Sequence, residues 1–595
     1  MSKKHIGFVV MFLCAVVSCL RVQAASREDM KLFLWVELIG FDNTQADYGV
    51  KQYLDNVGRT PNAVSLLFQN DNLFRCYDPK DPADFTLPPN CCSYGGRPFN
   101  RLRKRQTWKS SELKGLVAEL KKQGVADVFA SFFWYKDMPI AKELHDKVIE
   151  KLVPFLCDFG FTGYHGADGY APPCHFNLQC EKTEDRPKVA KARAALYTEN
   201  WRDMINALHA KDLKCWMNTT WTLDPYEALL RYGVDYRALA DVGLDGFIVE
   251  SSAAGITLRT GPARNTASRI DKSTAMLIRL KACCPNTSLV LLHGINDGNE
   301  QWSALKHARS ACRSEVMALG NVFYGNKRAL DGFLCCLSDD VPAAQWNEIF
   351  DLYDSTRVPA AEPLGLRVVW SDRAFRSEFD ECSVTLDCSS NTFLWETLRR
   401  GAVIHSSISV ADALKDKSIP LMIINPKFFP KEELDALTNR FAPVQVVGLG
   451  AIPPDTAPYV KLPPEKLKLT GMPEDNSGHF TWEIPENKPP ACIFERAAGD
   501  ENWIIPVVKP LQKELRLYGY RMTNGRLALF CRNEDEKYIT ADIMVNLPIS
   551  DILVHSDFPT KPLKTILQGK VAPMDTMFFS VKERDSVEAS PSPIP

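Results

Sequence analysis

From about residue 30 to about residue 355 the chain alternates between two apolar patterns. Short runs dense in Val, Leu, Phe and Trp are separated by longer stretches in which apolar residues recur every three or four positions. Continuous apolar runs suit strands buried on both faces, as in a parallel sheet. They predict eight strands: Leu32–Ile39, Ala63–Phe68, Val125–Phe133, Phe161–Gly166, Lys214–Met217, Gly246–Val249, Ser288–Leu292 and Gly332–Leu337. The stretches between them read as helices. In Ser110–Gln123, Leu113, Leu116, Val117 and Leu120 fall on one helical face, and Gly124 follows where a terminator is expected. Ala141–Leu156 and Thr198–Ala210 repeat the theme. Eight such βα units predict a (β/α)8 TIM barrel over 28–356. The competing open, doubly wound sheet lacks a Gly-rich phosphate loop after its first strand.

The pattern changes after the Pro-rich "RVPAAEPL" at 357–364, which reads as a linker. Strand and helix signals then predict a small α/β layer domain over 365–460. A Pro-rich irregular passage, 453–490, follows. Alternating segments such as "LRLYGYRM" and "RLALFCRN", with an Asn-Gly turn signal at 524–525, predict a small antiparallel β domain over 500–583. The end, 584–595, reads as a disordered tail. At the other end, Lys3, Lys4 and His5 precede an uncharged run to Leu20, and Val22-Gln23-Ala24 offers a cleavage site. This predicts a signal peptide over 1–24 and an exported, periplasmic or cell-surface protein. Val16-Val17-Ser18-Cys19 also has the form of a lipobox lacking its leading leucine. On that reading Cys19 carries a lipid anchor to the membrane.

A formal net charge of −2 excludes a binder driven by a global positive field, so no nucleic-acid partner is expected. The chain holds 18 cysteines but shows no CxxC pair with zinc-finger spacing.

In a TIM barrel the chemistry lies at the C-terminal ends of the strands. Here those ends carry Glu37; Trp134 and Tyr135; His165 and Asp168; Trp216 and Asn218; Glu250; His293, Asp297 and Glu300; and Ser338, Asp339 and Asp340. Carboxylates, aromatics, His and Asn dominate. Glycoside hydrolysis needs two carboxyl groups, one ionised and one that donates a proton to the leaving oxygen. Asp168 and Glu250 are the catalytic candidates. Glycines at 166 and 169 let the backbone display Asp168, and Glu250 ends the apolar run "DGFIVE". His165, Trp134, Tyr135, Trp216, Asn218, His293, Asp297, Glu300 and Asp339 are candidates for binding a carbohydrate substrate. A non-catalytic carbohydrate-binding barrel is the alternative. A metal-dependent hydrolase using His165, Asp168, His293 and the aspartates after the last strand lacks any HxH or HExxH spacing, so no metal and no cofactor is expected.

The order of barrel, small α/β domain and small β domain resembles the family 42 β-galactosidases. "WETLRRGAVIHSSISVADALKDKSIPLMIINPKFFPKEELDALTNRF" resembles their middle domain, which is glutamine-amidotransferase-like. The resemblance implies a homo-oligomer, dimer or trimer. The catalytic motif departs from that family: Ala167-Asp168 stands where an Asn-Glu pair belongs. The layout also resembles retaining α-glycosidases. That resemblance implies Asp168 as nucleophile and Glu250 as acid/base.

Overall fold

The computed structural model describes residues 29–68, 107–132, 142–167, 182–220, 222–250, 264–295, 309–339, 341–382, 389–399, 402–440 and 515–533 as its main continuous runs. Shorter pieces lie between them, and further strands follow as far as 583. The segments read as signal peptide and as disordered tail lie outside the described residues.

Eight parallel strands close a barrel. They are β1 (Lys31–Glu37), β2 (Ala63–Phe68), β3 (Asp127–Phe132), β4 (Gly163–Gly166), β5 (Lys214–Asn218), β6 (Gly246–Glu250), β7 (Ser288–Gly294) and β8 (Gly332–Cys336). Closure comes where β8 pairs with β1 in the register Lys31↔Gly332 to Trp35↔Cys336. It requires a glycine at its start, because a Cβ on Gly332 would lie 1.8 Å from the Lys31 carbonyl oxygen. The barrel helices are α1 (Val50–Val57), α2 (Ser110–Lys122), α3 (Lys142–Phe159), α4 (Arg186–His209), α5 (Pro225–Tyr232), α6 (Tyr236–Asp241), α7 (Arg264–Cys283), α8 (Arg309–Gly320) and α9 (Ala343–Ser355). None of the described helices is long and apolar enough to cross a membrane.

The stretch read as a linker is not one. Ala360–Pro363 forms a strand, β9, that pairs antiparallel with Leu515–Met522 far along the chain. Pro363 is tolerated because β9 is the edge of its sheet. The α/β layer has β10 (Leu366–Trp370), β11 (Ile404–Ser409), β12 (Leu421–Ile424) and β13 (Val444–Val447) in parallel. Its edge is completed by the hairpin Phe323–Tyr324 and Lys327–Arg328, borrowed from the connection before β8. Helices α10 (Asp372–Cys382), α11 (Ser390–Arg399), α12 (Val410–Lys415) and α13 (Lys431–Thr438) accompany this sheet. Two five-stranded antiparallel sheets follow. One is headed by β9, and the other is built from strands between Ile493 and Val571.

These parts share a core. One buried cluster runs from the outer faces of the barrel strands through the helices to Leu366, Val368, Trp370, Ile404 and Met422 of the second sheet. A polar seam runs beside it. Arg279 of α7 donates to Asp224 at 2.7 Å, sits 5.5 Å from the Trp370 ring, and lies within electrostatic reach of Glu378 on α10. Burial raises the pKa of both Asp224 and Glu378, and Arg279 opposes it. Arg532 pairs with Asp271 of α7, so the same helix also holds the C-terminal sheet.

Candidate functional site

Strand alternation decides what enters the barrel. On β1, Phe33 and Trp35 join the inner cluster, while Leu32, Leu34 and Val36 face the helices. The same phase places Glu37 inside, at the mouth. The lower lumen is aromatic: the Phe33 ring lies 4.9 Å from Trp216 and 6.0 Å from Phe129. Trp216 also lies under Lys31, whose ammonium is 5.4 Å from the ring at the opposite end of the barrel. Trp216, a candidate for substrate binding, is therefore a plug of the lumen floor. Its side chain leans away from the end where the strand leads.

Above this floor sits His165. Its ring is 4.9 Å from Trp35, its Nδ1 is 2.9 Å from the Ser65 hydroxyl, and its Nε2 is 2.7 Å from Asn218 Oδ1. Burial pulls its pKa down to about 4, a fall that the Asn218 bond partly offsets. The imidazole is neutral near pH 7.

Among the described residues the mouth holds three buried acids: Glu37, Asp339 and Glu250, at 0%, 1% and 8% exposure. β8 ends at Cys336. Leu337 then takes a φ of 57°, a costly value for a non-glycine residue, and the chain turns back into the lumen cluster. The turn brings Asp339 Oδ1 to 2.9 Å from the Glu37 backbone N–H, which donates to it. Gly40 makes room, since a Cβ there would lie 2.8 Å from that oxygen. Glu250 ends β6, and its backbone N–H donates to Thr219 Oγ1 at 2.9 Å. A carboxyl held this deep is costly unless it is partnered or protonated.

The structure thus brings His165, Asn218, Glu250 and Asp339 to one lumen. His293 it does not. Leu292 faces the lumen, so His293, one position on, faces the helix layer. There Nδ1 lies 2.7 Å from the Tyr353 hydroxyl of α9, and burial pulls the pKa to about 4. Asp168, Trp134, Tyr135, Asp297 and Glu300 lie outside the described residues. Ala167, just before Asp168, belongs to the lumen cluster. Two lumen groups escape a search of strand ends: Ser65 in "AVSLLF" and Ser131 in "DVFASF". The signal for both is a lone hydroxyl at the inner phase of an apolar run. Among the described residues no group of three or more His, Cys, Asp or Glu side chains is placed to hold a metal ion.

No family model matches the chain, and no curated protein matches it in sequence. Solved structures do match. A β-galactosidase from the psychrophilic Marinomonas ef1 superposes with a TM-score of 0.50 at 10% identity, covering 93% of this chain and 100% of that one. A chitinase from Chromobacterium violaceum matches with a TM-score of 0.31 at 13% identity, over 54% of this chain and 98% of that one. The spore cortex-lytic enzyme SleL of Bacillus megaterium matches with a TM-score of 0.34 at 10% identity, over 55% and 75% of the two chains. The match across 93% of the chain is one of fold: the eight-stranded barrel together with the domains that follow it.

Proposed function

We propose that this chain is an exported glycoside hydrolase. It cleaves a glycosidic bond by a two-carboxylate, retaining mechanism, with Asp168 as nucleophile and Glu250 as acid/base. One observation carries the reading. Glu250 closes an apolar strand on its inner face, at the mouth of a glycosidase-like barrel, with its backbone anchored by Thr219. A carboxyl at this place can donate a proton to the leaving oxygen. Asp168 enters the proposal from the sequence, as a carboxylate between Gly166 and Gly169 just after the fourth barrel strand.

The test is hydrolysis of a panel of aryl glycosides by the wild-type protein, Glu250→Gln and Asp168→Asn. Each substitution should lower kcat by about 10²–10⁴-fold with the far-UV circular dichroism unchanged. Wild-type turnover in both variants would sink the assignment. NMR of the first-formed anomer reports the stereochemistry. Retention requires carboxyl groups about 5–5.5 Å apart, and inversion about 6.5–9.5 Å. Binding of sugars without turnover of any glycoside would favour a carbohydrate-binding protein built on the same barrel. Mass spectrometry of the mature N-terminus decides between cleavage after Ala24 and lipidation of Cys19.

A further inference from the structure

A cavity of about 660 Å³ opens on the outer wall of the barrel, where helices α4, α5 and α6 meet α10 of the α/β layer. None of its lining residues lies on a barrel strand, so it is separate from the mouth. Two ion pairs cross it. Lys191 of α4 pairs with Asp380 of α10, and the Arg237 guanidinium of α6 lies 3.6 Å from Asp372 of α10. The floor between them is apolar. Phe375 and Phe379 of α10 pack with Ala194 and Leu229 of the barrel helices, and the Phe379 ring stands edge-on to Tyr226 at 5.5 Å.

The charges along the walls do not cancel. Asp380 is taken by Lys191, and Asp241 and Asp372 by Arg237. Asp235 accepts the Ala238 backbone N–H at 3.0 Å as the cap of α6. That leaves Arg202 on α4 and Arg376 on α10, facing the cavity from the two domains. Both are exposed, and neither has a hydrogen bond or ion pair among the described residues. Of the acids lining the cavity, Glu199 alone is left in the same state among the described residues. Two open guanidinium groups against one open carboxylate leave a surplus of one positive charge. A guanidinium meets a carboxylate through two parallel N–H donors. A cavity of this size at a domain junction, apolar below with a few polar groups converging on it, has the make-up of a small-molecule site.

We propose that this cavity binds an organic carboxylate: a monoanion whose head is held by Arg202 and Arg376 and whose aliphatic or aromatic body lies against Phe375 and Phe379. Such a ligand touches the barrel on one side and the α/β layer on the other, so its binding stabilises the joined, folded chain. The proposal stands apart from the glycosidase reading, because it uses no residue of the mouth.

Isothermal titration of the full chain with straight-chain carboxylates from acetate to octanoate, and with 4-phenylbutyrate, tests it. Affinity should rise about two- to fourfold with each added methylene. Octanamide and octylamine should bind at least about tenfold more weakly than octanoate, since each lacks the anion. Arg202→Gln and Arg376→Gln, at exposed helical positions, should each weaken octanoate by about tenfold or more. Arg373→Gln is the control: it sits on the same helix, but its guanidinium lies 2.6 Å from Glu432, and it should bind octanoate as the wild type does. Octanoate should raise the melting temperature of the wild type and leave that of the Arg202→Gln/Arg376→Gln double variant unmoved. The proposal is overturned if the double variant binds octanoate as tightly as the wild type, if octylamine binds better than octanoate, or if neither octanoate nor 4-phenylbutyrate binds saturably.

Discussion

Three buried histidines, His165, His293 and His405, are each held neutral by burial, with pKa values pulled to about 4. In the unfolded chain each takes a proton near pH 6.5. Between those values the unfolded state binds more protons, so stability falls as pH drops from about 6.5 towards 4 and is insensitive to these groups above it. Each histidine contributes a slope of about 1.4 kcal/mol per pH unit inside that window. Asp224 and Glu378, both raised, pull the other way, so the clean measurement is a difference. Urea midpoints from pH 7.5 to 4.5 should show the slope reduced by about one proton in His293→Gln. An unchanged slope would mean that His293 is not buried neutral. The sequence makes Glu250 legible because a carboxylate ends an apolar run. It leaves Ser65 and Ser131 hidden, because a hydroxyl inside a strand signals nothing until the inner phase of the barrel is known. His293 shows the same limit: one step of alternation separates a site residue from a wall residue.

Elements were more legible than residues. Continuous apolar runs mark all eight barrel strands to within a few residues, since a strand covered on both faces leaves no room for polar interruptions. Pairing was less visible. "RVPAAEPL" looks like a linker because two prolines suggest irregular chain, yet an edge strand needs only one face of its backbone to bond. The hairpin at Phe323–Arg328 has strands of two residues each, too short for any periodicity to register. Closure of the barrel also rests on a detail of one element. Replacing Gly332 by Ala drives a methyl into the Lys31 carbonyl and should cost at least about 1–3 kcal/mol, the range for overpacking. Thermal unfolding reads it. A melting temperature equal to wild type would show that the β8–β1 seam can open to make room.

For the whole molecule, the order of parts was legible and the welding was not. Helix α7 holds the barrel, the α/β layer through Arg279 and Glu378, and the C-terminal sheet through Asp271 and Arg532. Arg279→Met leaves Asp224 and Glu378 buried without their cation and should destabilise by about 3–5 kcal/mol. Replacing all three by neutral residues should recover much of that loss. Denaturant unfolding followed by separate barrel and second-domain probes should give one transition in the wild type, and two in Arg279→Met if the seam is what couples them. Strand β9 carries a consequence for how the protein is made. Its partner, Leu515–Met522, is synthesised more than a hundred residues later, an interval on the order of ten seconds at ordinary elongation rates. Until Leu515–Met522 is made, β9 has no sheet to join. The strand that leaves the barrel is thus completed by chain that follows the whole α/β layer.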